Sequence, residues 1–283
     1  MKFIQNQYVK LLVKLLNLKV IGMLASYVFV AIVTNYYGAK MWGVFSLCLL
    51  VMSVVSVLSV FGLDTALLRK TAFYFKDGKQ GAIRYLYSRS MWFVLGTSAS
   101  FAFVTFLLAE HIANYIFHDT TLVKDLRIAA LGIPAISLLA ITAQNLRAIQ
   151  LNGWFLFYNH IGRYLLPGVA LLFGIYALNI EMNPVLIFVV ALYLMAFVAN
   201  VQFVRQSEIH SHPNEVDLTW RALLVIGMPL MLANSVNFLK GWLDTFMIGF
   251  YLDTLEVGIY GVALKISKIL TIPITVINTM SAS

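Results

Sequence analysis

Four polar residues interrupt an apolar run near the C-terminal end of the chain: Asn234, Asn237, Lys240 and Asp244. Their steps of 3, 3 and 4 residues set all four on one stripe of a helix. Lys240 and Asp244 stand close enough along that stripe to pair. The next apolar run carries Lys265 and Lys268. Charge inside so apolar a helix is costly and marks a functional site by default, with a structural ion pair as the plainer reading of Lys240 and Asp244. The steps predict that the stripe faces an interior, where cations would draw in an anion and a carboxylate would tune them or take up an ion. At the other end of the chain, Lys19 precedes Ser26, Tyr27 and Thr34 on one broad helical face. Asp64 comes shortly before Arg69, a spacing suited to a local gate or salt bridge. Gln144, Asn145 and Arg147 end another apolar run and could line the same mouth, although helix–helix hydrogen bonding accounts equally for the two amides.

Catalytic chemistry has no comparable signal. His111 and His118 flank a short loop, and His210 and His212 lack a third ligand at metal-binding spacing. Glycine-rich phosphate loops, nucleophile elbows and paired carboxylate motifs are missing from the sequence. The expectation is a protein that is not an enzyme, with no metal and no organic cofactor.

The elements that must position these residues follow from composition. Of 283 residues, 61% are hydrophobic and 11% charged, with a mean hydropathy of +0.85. A soluble domain carries about a quarter charged residues, so this chain has too few to cover a water-facing surface. Its apolar runs are helix-length and recur throughout, which predicts an all-α polytopic membrane bundle rather than a β-barrel. The single cysteine, Cys48, lies inside a run and rules out an intrachain disulfide. Eight spans are predicted, at 16–37, 43–66, 88–109, 127–148, 162–179, 184–204, 222–250 and 257–279. Residues 1–15 put Ile4, Tyr8, Leu11, Leu12 and Leu15 on one face, as in a helix lying on the membrane surface or a lead-in to the first span.

Charge then orients the bundle. Of the 20 Lys and Arg, three (Lys240, Lys265, Lys268) lie within spans and three (Lys40, Lys124, Arg127) on the far side, which leaves 14 on the side of the N-terminus. That bias sets the N-terminus in the cytoplasm and explains the net charge of +8 without nucleic acid. A motif also recurs. VIGM occurs at Val20–Met23 and again at Val225–Met228, and Gly43 and Gly258 each open the following span. The chain thus reads as a six-span unit at 16–204, a polar linker at 205–221, and the first two spans of a second, parallel unit at 222–283. Completing the second unit takes about four more spans; without them the chain would be a truncated membrane protein that does not transport.

At GLDTALLRK, at LRAIQLNGW and above all at LDTFMIGFYLDTLEVGIYGVALKIS, the chain resembles the oligosaccharide-lipid flippases. These are the O-antigen and polysaccharide exporters of the multidrug/oligosaccharidyl-lipid/polysaccharide superfamily. The resemblance implies two six-helix lobes around a central cavity in the bacterial inner membrane. It implies alternating access driven by a gradient of H+ or Na+, and a polyprenyl-pyrophosphate-linked oligosaccharide as the molecule moved. Membrane lipids and other polysaccharide assembly proteins are the expected partners. On this reading Lys19, Asn237, Lys240, Asp244, Lys265 and Lys268 line the cavity, and Asp64, Arg69, Gln144, Asn145 and Arg147 form a cytoplasmic gate. A multidrug cation antiporter of the same superfamily is the alternative, and it would place acidic residues in the cavity.

Overall fold

A computed structural model describes residues 2–206 and 219–269, with side chains from Val13 onward except those of Trp220, Asn237, Lys268 and Ile269. All regular structure in these residues is helical. The first helix, α1 (Lys2–Val60), is interrupted at Gly38, whose φ of 86° and ψ of 164° lie outside the helical region. Such a φ costs a glycine nothing, because it has no Cβ. The chain reverses there. Phe29 and Phe45 are 16 residues apart, about 24 Å along a straight helix, yet their ring centroids are 5.2 Å apart. Two antiparallel arms, the first two spans, therefore occupy what is nominally one element.

The second arm is shorter than expected. It ends at Val60 rather than at residue 66, because Phe61 and Gly62 both take positive φ. Asp64 and Arg69 thus belong to a separate helix, α2 (Leu63–Lys76). Next come α3 (Gln80–His111), which continues through a π-turn at Ile112–Ile116, and α4 (Leu122–Ala148). The fifth span starts ten residues earlier than predicted, at Asn152 rather than 162. It runs unbroken to Leu178 as α5 (Asn152–Leu156), α6 (Gly162–Phe173) and the π-turns Phe157–Ile161 and Gly174–Leu178. α7 (Pro184–Gln206) follows. After the linker, α8 (Trp220–Tyr251) bends by 46° between 221–236 and 238–251. α9 (Thr254–Ile269) then covers the described half of the eighth span. The remainder of that span and most of the linker, with His210 and His212, lie outside the described residues.

Among the described residues five helices are long and apolar enough to cross a membrane, and the bent α8 makes a sixth. Because the first of the five is the two-armed α1, the count approaches the predicted eight. The chain is a multi-pass membrane protein. α4 forms the hub, with 72% of its apolar window buried against 22% for α3 on the periphery. Small hydrogen-bonded groups join the helices at depth. Ser137 of α4 meets Ser56 (2.9 Å) and Ser59 (3.0 Å) of α1, and Thr97 of α3 donates to the Ser59 carbonyl (2.8 Å). Lipid offers such groups no water, so they satisfy one another and fix the helix register.

Candidate functional site

α8 and α9 close against the second arm of α1 through backbone contact. A Cβ on Gly43 would overlap the Thr254 carbonyl, and one on Gly258 would overlap the Ala39 carbonyl. At this point no side chain separates the two helices, whose backbones can therefore touch. Farther in, a Cβ on Gly62 would overlap the Gly227 carbonyl, so α8 seats on the start of α2 in the same way. Asn234 then donates to Thr65 Oγ1 across this second junction (2.9 Å).

Between the two junctions lies a cavity of about 300 Å3, lined by α1, α6, α8 and α9. Lys265 projects into it. Its ammonium donates to Ser26 Oγ and lies 4.9 Å from the centre of the Tyr164 ring. Its own carbonyl accepts from Tyr27 Oη at 2.5 Å. The hydroxyl and the ring face together replace part of the water an ammonium would otherwise need. Trp42, Trp242, Ser46 and Thr245 complete the polar and aromatic wall. Trp42 Nε1 is buried and has no hydrogen-bond partner among the described residues, which leaves a donor at the cavity wall.

The other sequence-predicted residues separate into groups. Lys19 is half-buried on the first arm, and Gly22, almost one turn on, packs on His160. Arg163 follows one turn after His160. Its guanidinium lies over the Phe188 ring at 5.7 Å, and its Nε is buried without a hydrogen-bond partner among the described residues. Lys240 and Asp244 are exposed on α8 and do not line the cavity, whose α8 wall is Gly241, Trp242 and Thr245. Among the described residues no ion pair joins Lys240 to Asp244; Asp244 instead accepts from Tyr260 Oη at 3.0 Å. The side chains of Asn237 and Lys268 lie outside the described residues.

At the inner end, Asn145 is fully buried. It accepts from Thr71 Oγ1 (2.7 Å) and donates to the Ile141 carbonyl (2.9 Å), which ties α2 to α4. Arg147 is exposed, with its guanidinium 5.2 Å from the Phe155 ring centre. Gln144 Oε1 is buried with no hydrogen-bond partner among the described residues. Asp64 borders a 70 Å3 pocket with Ser56 and Asn234, and among the described residues it makes no ion pair with the exposed Arg69. These five residues do not converge on one point: Asn145 ties α2 to α4, Asp64 faces α8, and Arg69 and Arg147 are exposed.

Sequence reasoning missed Trp42, Tyr164, Trp242, His160 and Arg163 as neighbours of the cationic positions. They come from segments far apart in the chain, and aromatic residues are common in every apolar run, so no local spacing marks them.

The outer end carries one further junction. Asp119, in the loop before α4, accepts from the Thr254 hydroxyl at the start of α9. It also accepts from Thr121 Oγ1 (2.6 Å) and the Thr121 backbone N–H (2.9 Å). Burial pushes its carboxyl upward, but the hydrogen bonds from Thr121 and Thr254 and the nearby Lys40 outweigh this and hold it below the usual carboxylate value.

Comparison with known proteins places this geometry. A family model described as polysaccharide biosynthesis protein matches residues 38–283. No curated protein is similar enough to match. A solved structure carrying the name protein A matches with a TM-score of 0.57 at 13% identity, over 92% of this chain and 62% of its own. At that identity the likeness is one of fold, and the chain spans about 62% of the length of that structure.

Proposed function

We propose that this chain, which belongs to the polysaccharide biosynthesis protein family, is part of a flippase that moves a lipid-pyrophosphate-linked oligosaccharide across the bacterial inner membrane. The observation that carries the reading is the Lys265 cavity. An ammonium at membrane depth, an unpartnered Trp42 N–H and two flanking aromatic rings form a site for an anion attached to something larger. Lys19 and Arg163 extend the positive character along the first arm and the fifth span, with His160 packed between them. An anionic headgroup could therefore meet cations at successive depths. The chain has no part in this but binding, orientation and release, and we assign it no enzymatic chemistry.

The contact between Gly43 and Gly258, the two glycines that open the span after each copy of the motif, supports a second feature of the reading. Equivalent residues of two parallel units meet where a pseudo-two-fold axis along the membrane normal passes between them. The cavity beside that contact would lie between two lobes, the second begun by α8 and α9. The exposed faces of Lys240 and Asp244 would be covered by helices following α9. Movement about the glycine contacts would open one end of the cavity at a time, with a coupling ion supplying the drive. The cation-exporter alternative is weaker, because Asp244 is turned away from the cavity and among the described residues no carboxylate lines it.

The test is Lys265→Ala in the full-length protein, made in cells that depend on it for surface glycan. Export should fall more than tenfold and lipid-linked oligosaccharide should accumulate in the inner leaflet, while Lys265→Arg should retain much of the activity. Normal surface glycan in Lys265→Ala cells, at equal protein level, would sink the assignment.

A further inference from the structure

A larger cavity, of about 700 Å3, lies on the outside of the bundle. α3 and α7 both pack on α4, and their walls stand apart over its Leu138. The resulting groove is open to the hydrocarbon. Arg84, in the second turn of α3, and Arg205, in the last turn of α7, lie at one end of it. Trp92 and Leu95 continue the α3 wall into the membrane, and Trp92 is 71% exposed. Among the described residues no acidic side chain lines the groove. Arg89, one turn beyond Tyr85 and stacked on its ring at 5.9 Å, adds a third cation nearby.

We infer that this groove is a binding site for an anionic glycerophospholipid of the inner leaflet, with its phosphate on Arg84 and Arg205 and an acyl chain laid along Trp92 and Leu95. Three observations converge. The charge is complementary and confined to one end. The wall from Arg84 to Leu95 rises over 11 residue steps, about 16 Å of helix, which matches the roughly 15 Å of hydrocarbon in one leaflet. On the opposite side of α7 a second groove, of about 390 Å3, is lined by Trp154, Phe197 and Val201 and shares Arg205. A headgroup held at Arg205 can thus place one acyl chain on each side of α7. Asn200 adds a polar contact at intermediate depth. It uses one N–H on Tyr87 Oη (3.1 Å), which is itself bonded to Thr142 (3.0 Å). Its second N–H suits the glycerol esters. Basic pockets between membrane helices on the cytoplasmic side take anionic headgroups in this way. The inner-leaflet placement rests on the orientation argued from charge, whereas the groove and its arginines are independent of the transport reading.

The test uses the full-length protein, stripped of lipid in detergent and observed by native mass spectrometry. It is titrated with phosphatidylglycerol, cardiolipin and, as zwitterionic control, phosphatidylcholine. The expected result is saturable retention of the anionic lipids over phosphatidylcholine, lost by on the order of 30-fold in Arg84→Gln/Arg205→Gln because two juxtamembrane cations are removed. Trp92→Ala should weaken retention of all three lipids and leave the headgroup preference intact. Equal retention of phosphatidylcholine overturns the proposal, as does an unchanged double variant. Displacement by glycerol 3-phosphate would make the site one for free phosphate, and displacement by a polyprenyl phosphate would give the groove to the transported class; either result also overturns it. If the double variant does not fold, the preference measured on the unaltered protein decides the question.

Discussion

Lys265 carries a charge where an apolar side chain of similar length would serve packing better. An ammonium at the centre of a span costs about 2.5–3.5 kcal/mol on insertion scales. Its contacts offset part of that cost: the Ser26 hydroxyl, the Tyr164 ring face and the polar cavity. Lys265→Met keeps the chain length and removes the charge. It should leave the melting temperature in detergent unchanged or raised, while transport falls as in Lys265→Ala. A clear loss of stability would instead make Lys265 a structural cross-link between α9 and the first arm. Tyr27→Phe separates the contacts further, because it removes only the bond to the Lys265 carbonyl. It should cost about 1 kcal/mol of stability and spare transport.

Helix pairs in this protein are fixed by what is missing at glycine as much as by what is present elsewhere. Where Gly258 meets Ala39 and Gly43, any larger residue must push α9 off the second arm. Gly258→Leu should destabilise the protein by about 1–3 kcal/mol, the usual cost of overpacking. Its effect on α9 should be visible as faster proteolysis after the outer turn at Asp253. The Asp119–Thr254 contact holds the same helix from its end. A carboxyl held below its usual value contributes stability that is present above the unfolded pKa and is lost as pH falls through the folded one. Melting temperature should therefore decline on acidification below the ordinary carboxylate range, and part of that decline should disappear in Asp119→Asn. An identical pH profile in the variant would show that other groups account for it. These two junctions also show what sequence could and could not reveal. The spans were legible because lipid demands long apolar helices. The reversal at Gly38 was legible as the gap between the first two spans. Lys265 was legible because charge in such a run is rare. The break at Phe61–Gly62 was not, because the apolar run continues through it to Leu63 and a positive φ at phenylalanine has no sequence mark. The early start of the fifth span was hidden by LNGW, which looks like a loop and serves as a helix start. The aromatic wall at Trp42, Tyr164 and Trp242 was hidden because it is assembled from three distant segments.

For the molecule as a whole, the alternation of helix ends decides how the remaining charges are placed. With the N-terminus inside, Gly38, the 117–121 loop, the 179–183 loop and the Leu252–Asp253 turn fall on one face. The turn at Gly78 and the 149–151 connection fall on the other. The first face carries Lys40, Lys124 and Arg127 against Glu110, Asp119, Asp125, Glu181, Asp253 and Glu256, so its balance is acidic. Among the described residues the second carries Arg69, Lys70, Lys76, Lys79, Arg84, Arg89, Arg147, Arg205 and Arg221 against Asp64 and Asp77. Insertion machinery retains such basic segments on the cytoplasmic side. Both the depth order of Lys19, Arg163 and Lys265 and the leaflet assigned to the Arg84–Arg205 groove depend on this orientation. It can be measured directly, since Cys48 is the sole cysteine and is buried. In a Cys48→Ala background, Gly78→Cys should resist a membrane-impermeant maleimide in intact cells and react after permeabilisation. Glu181→Cys should react in both. Reversed labelling would put the basic ends outside. The cations would then grade from the outer mouth inward, the lipid groove would move to the outer leaflet, and export from the cytoplasm would lose its electrostatic rationale.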